Sequence, residues 1–414
     1  MKILVCHNFY QQRGGEDRVY EAETRLLEAH GHDVVRYEAR NDVIGPSAGL
    51  AVAASTIWNP FSYRAIRRVI RAERPSLMHV HNTLPLLSPS VYYAAHAEGV
   101  PVVQTLHNYR LTCANAQLFR NDHVCEECVG LTAPWPAVAH ACYRGSRGAS
   151  ATVAAMLMAH RAIGTWTRVV DAYVAVSEFE RRKLIEGGLP SGRLYVKGNF
   201  VSPDPGVGDG SRRGVVFVGR LSPEKGVRTM LDAWKQVGNI PLTIVGDGPL
   251  APAVRGASRA NANITWVGYR PAAEVSDIIA RAACLICTSE WHEPFGLVIA
   301  EAFARGTPVI ATRVGALPEM VEHNQTGLLF EPGDARALAE SVRALFADRP
   351  RLESMRAAAR RAFERRLTAD ANYHSLMRIY AAAFARANRS ASVGGALAVK
   401  PDPGVTRESI GMPV

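Results

Sequence analysis

Short apolar runs of strand length alternate with helical stretches along most of this chain. In the first half the apolar runs cover residues 3–6, 34–37, 77–80, 102–105 and 172–176. Strands that alternate with helices form parallel sheets with helices on both faces. The alternation therefore predicts an α/β fold.

The same alternation restarts after residues 202–211, a stretch rich in proline, glycine, aspartate and serine that is typical of a linker. The later strands are predicted at residues 214–218, 242–245, 264–267, 283–287 and 308–311. A chain of 414 residues also exceeds the usual size of a single core. We therefore predict two Rossmann-like domains, residues 1–205 and 212–368.

The end of the chain is predicted to be helical after residue 334. Within it Leu376, Ile379, Tyr380 and Phe384 recur at helical spacing. We expect this last helix, residues 369–388, to pack back on the first domain. Residues 389–414 are rich in serine, glycine, alanine and proline without periodicity, which predicts a disordered tail.

Charge and cysteine content indicate the kind of partner and the cellular compartment of the protein. The formal net charge of +10 favours anionic partners without separating nucleotide phosphates, nucleic acid and acidic lipid. The chain contains no apolar run of about 18 residues, and its N-terminus enters a strand without a signal pattern. The seven scattered cysteines fit reduced thiols. These features predict a cytoplasmic protein.

Two cations follow the strand at residues 215–218. Gly219 permits close backbone approach, Arg220 offers a planar fork, and Lys225 adds a mobile point charge just beyond the carboxyl end of this strand. Ligands of open α/β sheets bind at that edge. The segment therefore predicts a diphosphate site, and the alternative is a solvated turn with two surface cations.

Two glutamates eight residues apart, Glu293 and Glu301, flank the start of a predicted helix. The free backbone N–H groups of Phe295, Gly296 and Leu297 would meet phosphate at the positive end of the helix dipole. Glu301 can accept hydrogen bonds from ribose hydroxyls, and Glu293 can hold hydroxyls of a transferred sugar. The alternative is an ordinary amphipathic helix with an acidic first turn.

With these segments the sequence resembles glycosyltransferase family 4, whose retaining enzymes have the two-Rossmann-domain architecture called GT-B. The resemblance rests on residues 219–226, 246–249, 293–301, 315–321 and 327–329 in family order. The first domain adds the segments 13–16, 79–82, 105–108 and 176–179, so the resemblance covers nearly all of residues 1–387.

The resemblance implies a specific role for each donor-site residue. Arg220 and Lys225 would neutralise the leaving diphosphate, Glu301 would bind the ribose, and Glu293 would position the donor sugar. No metal is then required, because two cations and a helix N-terminus can stabilise the developing charge.

The resemblance also assigns residues that line the cleft. Gly14 and Gly15 would approach the diphosphate from the first domain, and Gly315 would add a backbone contact. His107 would lie beside the anomeric carbon and stabilise the transition state or contact the acceptor. The first domain offers no obvious carboxylate nucleophile, so we favour a front-face mechanism in which a phosphate oxygen takes the acceptor proton.

Four cysteines cluster in the segment after His107. Cys113, Cys125, Cys128 and Cys142 could supply four thiolates to a tetrahedral structural zinc. Their flanking separations are not those of a common zinc finger, so free or redox-active thiols remain the alternative.

A basic segment precedes the third predicted strand. It contains Arg64, Arg67, Arg68, Arg71 and Arg74, which alternate with apolar residues. Such a helix can lie on an anionic bilayer, which would place the protein peripherally on the cytoplasmic face of the membrane. The alternative is a solvated arginine face on a core helix. The arginines lack stacking aromatics across a sheet, so we expect no nucleic-acid partner.

Together these features predict the transfer of a hexose from a GDP- or UDP-sugar to a hydroxyl of a saccharide or lipid-linked acceptor. The resemblance points to polysaccharide or lipopolysaccharide biosynthesis, without a catalytic cofactor. GDP-mannose is the donor that we expect. The alternative function is a nucleotide-sugar-binding scaffold subunit that does not turn over.

Overall fold

The computed structural model describes residues 1–11, 14–43, 49–208 and 213–396 of the chain. These residues contain two six-stranded parallel sheets, each covered by helices, and a small antiparallel hairpin. The fold therefore consists of two α/β domains, as the alternation of strands and helices predicts.

The first domain contains eight strands and seven helices among the described residues. Its strands are β1 (Lys2–Phe9), β2 (Asp33–Arg40), β3 (Leu77–Val80), β4 (Val102–Leu106), β5 (Phe119–Arg120), β6 (His123–Val124), β7 (Ala172–Ala175) and β8 (Leu194–Val196). Its helices are α1 (Gly15–Ala29), α2 (Gly49–Ile57), α3 (Pro60–Glu73), α4 (Ser90–Ala97), α5 (Trp135–Ala139), α6 (Arg147–Ala162) and α7 (Glu178–Glu186).

The second domain follows the same plan. Its strands are β9 (Val215–Val218), β10 (Leu242–Val245), β11 (Ile264–Gly268), β12 (Cys284–Cys287), β13 (Val309–Thr312) and β14 (Gly327–Phe330). Its helices are α8 (Val227–Trp234), α9 (Ala251–Ala260), α10 (Ala272–Arg281), α11 (Leu297–Ala304), α12 (Leu317–Met320), α13 (Ala335–Ala347) and α14 (Arg349–Arg366), and α15 (Ala369–Ala396) ends the described chain.

Strand order decides which loops meet. The first sheet has the order β2-β1-β3-β4-β7-β8 and the second the order β11-β10-β9-β12-β13-β14. Because the strands of each sheet are parallel, the loops after β1, β3 and β4 lie at one edge, and those after β9, β12 and β13 lie at one edge of the other sheet. Ligands of such sheets bind at these carboxyl edges.

All ten strands predicted from apolar runs are present. The sequence analysis did not predict β8, β14 or the β5–β6 hairpin as strands. The hairpin has only two residues on each side, and β8 has three, so neither carries enough alternation to be recognised.

The last helix returns to the first sheet, as predicted. Leu376, Ile379 and Tyr380 are buried in a cluster with Ile3 and Val5 of β1. The Tyr380 hydroxyl also lies 2.8 Å from His79 Nδ1. Apolar side chains at helical spacing thus join the C-terminal end of the described chain to the N-terminal domain.

The predicted end of this helix was wrong. The helix α15 continues to Ala396, so residues 389–396 are helical rather than part of a disordered tail. Once a helix is formed, each further residue adds one hydrogen bond without a new nucleation cost, so a packed helix can continue past the end of its apolar stripe. Residues 397–414 of the predicted tail lie outside the described residues, as do residues 209–211 of the predicted linker.

None of the helices formed by the described residues is long and apolar enough to span a bilayer.

Candidate functional site

The loop after β9 is shaped by glycines in close contact. The Gly219 N–H donates to the Val245 carbonyl at 3.0 Å. A Cβ added at Gly246, which has φ +136°, would lie 1.9 Å from the Gly219 carbonyl oxygen. The two loops can lie against each other only because Gly246 has no side chain. This contact fixes the start of the segment that carries the two cations.

Lys225 and Glu293 form the centre of the site. The Lys225 ammonium donates to Glu293 Oε2 at 2.6 Å and lies 5.1 Å from the centre of the Trp291 ring. Burial opposes the charge of Lys225, but the Glu293 carboxylate outweighs it and raises the pKa of the lysine above its usual value. The structure therefore brings together two residues predicted to act on the donor.

Glu293 is held by more than the lysine. Its Oε2 atom also accepts hydrogen bonds from Ser289 Oγ and Trp291 Nε1, each at 2.9 Å. Glu293 Oε1 makes no hydrogen bond with the described residues. One oxygen is thus fixed by three donors, and the other is available to a ligand.

Arg220 is exposed, and its side chain has no hydrogen-bond or ion-pair partner among the described residues. A free guanidinium at the carboxyl edge of a parallel sheet is well suited to bind an incoming phosphate.

The segment Phe295 to Leu297 leads into α11. Gly296 has φ +85° and directly precedes the helix. The Phe295 side chain is buried and packs so closely on Gly198 that an added Cβ there would lie 2.9 Å from the ring. Phe295 therefore belongs to the core, and only its backbone and that of its two neighbours remain candidates for the predicted phosphate contact.

Glu301 contacts the opposite domain. Its Oε1 accepts from Arg18 Nη1 at 2.9 Å, and Arg18 lies in α1 of the first domain. Burial raises the pKa of Glu301, and the charge of Arg18 offsets part of that rise. The carboxylate predicted to bind ribose thus forms an ion pair across the cleft.

Gly315 supports the Glu293 loop. It has φ +60°, and an added Cβ would lie 2.5 Å from Glu293 N and 2.6 Å from its carbonyl oxygen. The next residue, Ala316, donates its N–H to that carbonyl at 2.9 Å. The described contact of Gly315 is therefore with the backbone of Glu293, and its contact with substrate stays a prediction.

Gly14 and Gly15 open the first helix at the opposite edge. The Gly14 N–H donates to Asp17 Oδ2 at 2.9 Å, and Asp17 Oδ1 lies 2.7 Å from His7 Nε2. A Cβ added to either glycine would have no atom within 4 Å. The loop thus borders open space, as a ligand contact requires, while Arg13 lies outside the described residues.

His107 lies at the same edge, after β4. Its Nε2 is 3.0 Å from His81 Nδ1, and the two rings stack at 5.3 Å. Burial, with the charge of His81, holds the pKa of His107 well below its usual range. His107 is therefore neutral at physiological pH and can donate or accept one hydrogen bond at the cleft.

A buried polar network supports His81 from below. His81 Nε2 and His79 Nδ1 lie 3.5 and 3.3 Å from Glu23 Oε1, while Glu23 Oε2 binds Lys197 at 2.6 Å. Glu23, His79 and His81 are the one group among the described residues with three metal-ligating atoms within 4.8 Å of one another. The ammonium of Lys197 neutralises the Glu23 carboxylate, so we interpret this network as structural.

No obvious carboxylate nucleophile was predicted in the first domain, and the structure places Glu16 at this edge. Glu16 Oε2 accepts from Asn108 Nδ2 at 3.0 Å. Burial, and then the charge of Asp17, raise the pKa of Glu16 to about 8, although Arg110 opposes the rise. An acidic residue directly after the Gly14-Gly15 loop was the signal that could have identified it.

A second contact between domains was also not predicted. His292, directly before Glu293, lies 2.6 Å from Glu126 Oε1 of the cysteine-containing insert. Lys183 pairs with the same oxygen at 2.9 Å, and the Phe179 ring lies 4.9 Å from the His292 ring. The insert therefore directly contacts the loop that carries Glu293, which we call the donor loop.

The four clustered cysteines are free thiols in one insert between β4 and α6. Cys113 and Cys128 are buried, and burial, followed by the neighbouring Cys113, raises the pKa of Cys128 to about 11. Within the described chain no three sulfur atoms lie within 4.8 Å of one another. The structure thus shows no formed tetrahedral thiolate site, and zinc binding by Cys113, Cys125, Cys128 and Cys142 stays a prediction.

The arginine-rich segment forms α3. Ile66 and Ile70 face the core, while Arg67 and Arg71 pair with Glu98 at 2.5 and 3.0 Å. Two of the five cations are thus partly neutralised within the first domain.

Two parallel-sheet domains that face each other through their carboxyl edges, with a last helix returning to the first, define the GT-B fold. Solved structures agree. Sucrose-phosphate synthase from Thermosynechococcus elongatus superposes with a TM-score of 0.68 and 18% identity, over 93% of this chain and 100% of that one. HepE from Anabaena, in complex with UDP-glucose, superposes with a TM-score of 0.64 and 18% identity, over 92% and 100%.

Sequence comparison identifies the family. Residues 13–205 match the description Glycosyltransferase Family 4, and residues 207–362 match Glycosyl transferases group 1. The chain therefore belongs to the family 4 type of glycosyltransferases. Glycogen synthase from Mycobacterium tuberculosis is 32% identical over 182 residues, which is 42% of this chain and 43% of the relative. The match thus spans less than half of that relative's length.

Proposed function

We propose that this protein transfers a hexose from a nucleotide-diphosphate sugar to a hydroxyl group with retention of anomeric configuration. The observation that carries the proposal is the Lys225–Glu293 pair at 2.6 Å, at the carboxyl edge of the second sheet. A cation beside a fixed carboxylate can hold a diphosphate and a sugar hydroxyl at adjacent points.

The donor diphosphate binds between Arg220, Lys225 and the N-terminus of α11. The unpaired Arg220 guanidinium approaches from the solvent side, and the backbone N–H groups at Gly296 and Leu297 add the positive end of the helix dipole. Glu293 Oε1 accepts from hydroxyls of the sugar. Glu301 binds the ribose once the Arg18 side chain has moved away from it or has turned to contact the phosphates as well.

The reaction proceeds at the front face and does not depend on a metal. As the bond to the diphosphate breaks, Arg220 and Lys225 stabilise the charge that develops on the leaving oxygen. The acceptor hydroxyl attacks the face from which the diphosphate leaves and gives its proton to a phosphate oxygen. His107, held neutral, donates a hydrogen bond near the anomeric carbon.

The donor is a UDP- or GDP-hexose. Solved complexes of HepE with UDP, with UDP and glucose, and with UDP-glucose support a uridine nucleotide donor for a chain of this fold. A wide nucleotide panel is therefore more informative than a single donor.

The acceptor is a saccharide or a lipid-linked saccharide, in the assembly of surface polysaccharide or lipopolysaccharide at the cytoplasmic face of the membrane. The membrane contact involves α3 and its lead-in, where Phe61 is 76% and Trp58 39% exposed. Arg64 and Arg68 are exposed on the same helix and can face anionic headgroups. A structural zinc in the insert would stiffen the region that touches the donor loop.

The purified full chain, incubated with UDP- and GDP-hexoses, tests this function. We expect nucleotide release from at least one donor, a higher rate when membrane lipid extract is added, and a product with the anomeric configuration of the donor by NMR. No release from any donor would exclude the enzyme and leave the scaffold subunit. Inversion at the anomeric carbon would exclude the front-face mechanism.

A further inference from the structure

The carboxyl edge of the first sheet holds a polar cluster that donor binding does not use. Tyr10 follows β1, Glu16 lies in the first turn of α1, and Asn108 and Arg110 follow β4. The charge of Arg110 and the hydroxyl of Tyr10 both act on the Glu16 carboxyl. Three neighbouring chain segments thus converge on one side chain at the edge where ligands of α/β sheets bind.

Two atoms of this cluster lack partners. Glu16 Oε1 and Arg110 Nε are buried and make no hydrogen bond with the described residues. The rest of each side chain is fixed, because Glu16 Oε2 binds Asn108, and Arg110 Nη1 donates to the carbonyl of Ala114. Buried polar atoms without partners are rare because each costs about 1–3 kcal/mol. Their position in a fixed cluster is therefore evidence for a polar ligand.

The cluster lies at the carboxyl edge of the first sheet, the same edge that carries His107. Glu16 directly follows the Gly14-Gly15 loop, which borders open space, and its partner Asn108 directly follows His107. A group that bonds to Glu16 therefore enters from this edge, on the side opposite the loop that carries Glu293. A solvated acidic residue in the first turn of a helix would instead have its carboxyl in water.

We propose that Glu16 binds the hydroxyl group of a saccharide acceptor, with Asn108 and Arg110 beside it. The inference rests on the proposed function and specifies the acceptor half of the same site. A hydroxyl is both donor and acceptor, so it can bond to Glu16 Oε1 whether that carboxyl is protonated or ionised. An anionic acceptor group would add to the repulsion that Asp17 already exerts on Glu16, so a neutral sugar hydroxyl is the matching chemistry.

Saturation-transfer NMR with methyl glycosides tests this inference without requiring turnover. The probes are the methyl α-glycosides of glucose, mannose, galactose and N-acetylglucosamine, added in excess with UDP present. The test variant is Glu16→Met, which keeps the length of the side chain but removes both oxygens. The matched control is Glu28→Met, at an exposed glutamate near the other end of α1 that pairs with Arg36.

We expect the wild type and the Glu28→Met variant to bind at least one glycoside. The Glu16→Met variant should bind it roughly tenfold or more weakly, as expected for the loss of a buried hydrogen bond. Unchanged UDP affinity in all three proteins shows that the fold is intact. Absence of glycoside binding by the wild type, or equal binding by the Glu16→Met variant, overturns the proposal.

Transfer kinetics separate this proposal from the proposed function. If the wild type binds glycosides but releases no nucleotide from any donor, the function fails while the acceptor site stands. If the wild type turns over the donor and the Glu16→Met variant transfers to the glycoside at the wild-type rate, the acceptor site alone is wrong.

Discussion

Three carboxyl groups border the cleft, and their surroundings give them different properties. Glu293 has one oxygen fixed by three donors, including an ammonium. Glu301 forms an ion pair with Arg18 of the other domain. Glu16 is half-buried beside Asp17, accepts a hydrogen bond from the Asn108 amide, and is also acted on by Arg110 and the Tyr10 hydroxyl. Burial and the charge of Asp17 favour the protonated form of Glu16 near neutral pH by raising its pKa to about 8.

The raised pKa of Glu16 predicts a stability effect with a defined direction. Burial and the charge of Asp17 raise its pKa to about 8 from an ordinary value of 4.5, against the weaker lowering effects of Arg110, Asn108 and Tyr10. The folded chain then keeps a proton that the unfolded chain loses, so this group lowers stability as pH rises from about 4.5 to about 8.

Thermal unfolding across that pH range measures the effect. The melting temperature of the Glu16→Met variant, relative to the wild type, should rise with pH up to about 8 and then level off. The Glu28→Met variant, which keeps Glu16, controls for the effect of a methionine on α1. A flat difference for Glu16→Met would show that its carboxyl has an ordinary pKa.

At the level of elements, the loop that carries Glu293 is held from two sides. Gly315 supports its backbone within the second domain, and Glu126 of the insert contacts His292 from the first domain. Lys183 of α7 pairs with Glu126, so the insert is also held against α7. The donor loop therefore depends on both domains.

Replacing Glu126 should weaken the site although it touches no substrate. In Glu126→Ala, His292 loses its partner across the cleft, and we expect kcat/KM for the donor to fall roughly threefold to tenfold. The matched control is Glu127→Ala, because Glu127 pairs with Arg120 and His140 inside the insert.

Donor hydrolysis kinetics and hydrogen exchange of the Glu293 loop measure this effect. Glu126→Ala should increase exchange in the loop, and Glu127→Ala should not. Equal effects of the two variants would show that the insert acts only through its own stability.

Sequence reasoning succeeded for elements with strong local patterns. Apolar runs predicted the ten strands, and the spacing of Leu376, Ile379 and Tyr380 predicted the returning helix, because burial imposes these periods. It failed where distant segments meet. Glu126 and His292 are 166 residues apart, and Arg18 and Glu301 are 283 apart, so nothing local indicates either contact.

The same limit applied to the candidate site. The cations and the glutamate pair of the second domain lie within recognisable loops, so their placement at one sheet edge followed from the pattern. Glu16 becomes a candidate only through its hydrogen bond with Asn108, which follows β4 and is distant in sequence. Gly315 and Phe295 were predicted to contact substrate, while their described contacts are with Glu293 and Gly198.

At the scale of the whole molecule, two sheets with facing carboxyl edges place the Lys225–Glu293 pair and the Glu16 cluster on opposite sides of one cleft. Ion pairs cross the cleft at Arg18–Glu301 and at Arg228–Asp122, both at 2.9 Å. The last helix fixes the first sheet from behind through Tyr380. We propose that this architecture places a diphosphate at Lys225.

Isothermal titration with UDP and GDP tests that claim most directly. The proteins to compare are the wild type, Lys225→Ala and the control Lys235→Ala, whose exposed lysine pairs with Asp232 on the surface. We expect the tighter nucleotide to bind Lys225→Ala at least tenfold more weakly than the wild type, and Lys235→Ala to bind it unchanged. Wild-type affinity in the folded Lys225→Ala variant would contradict the account.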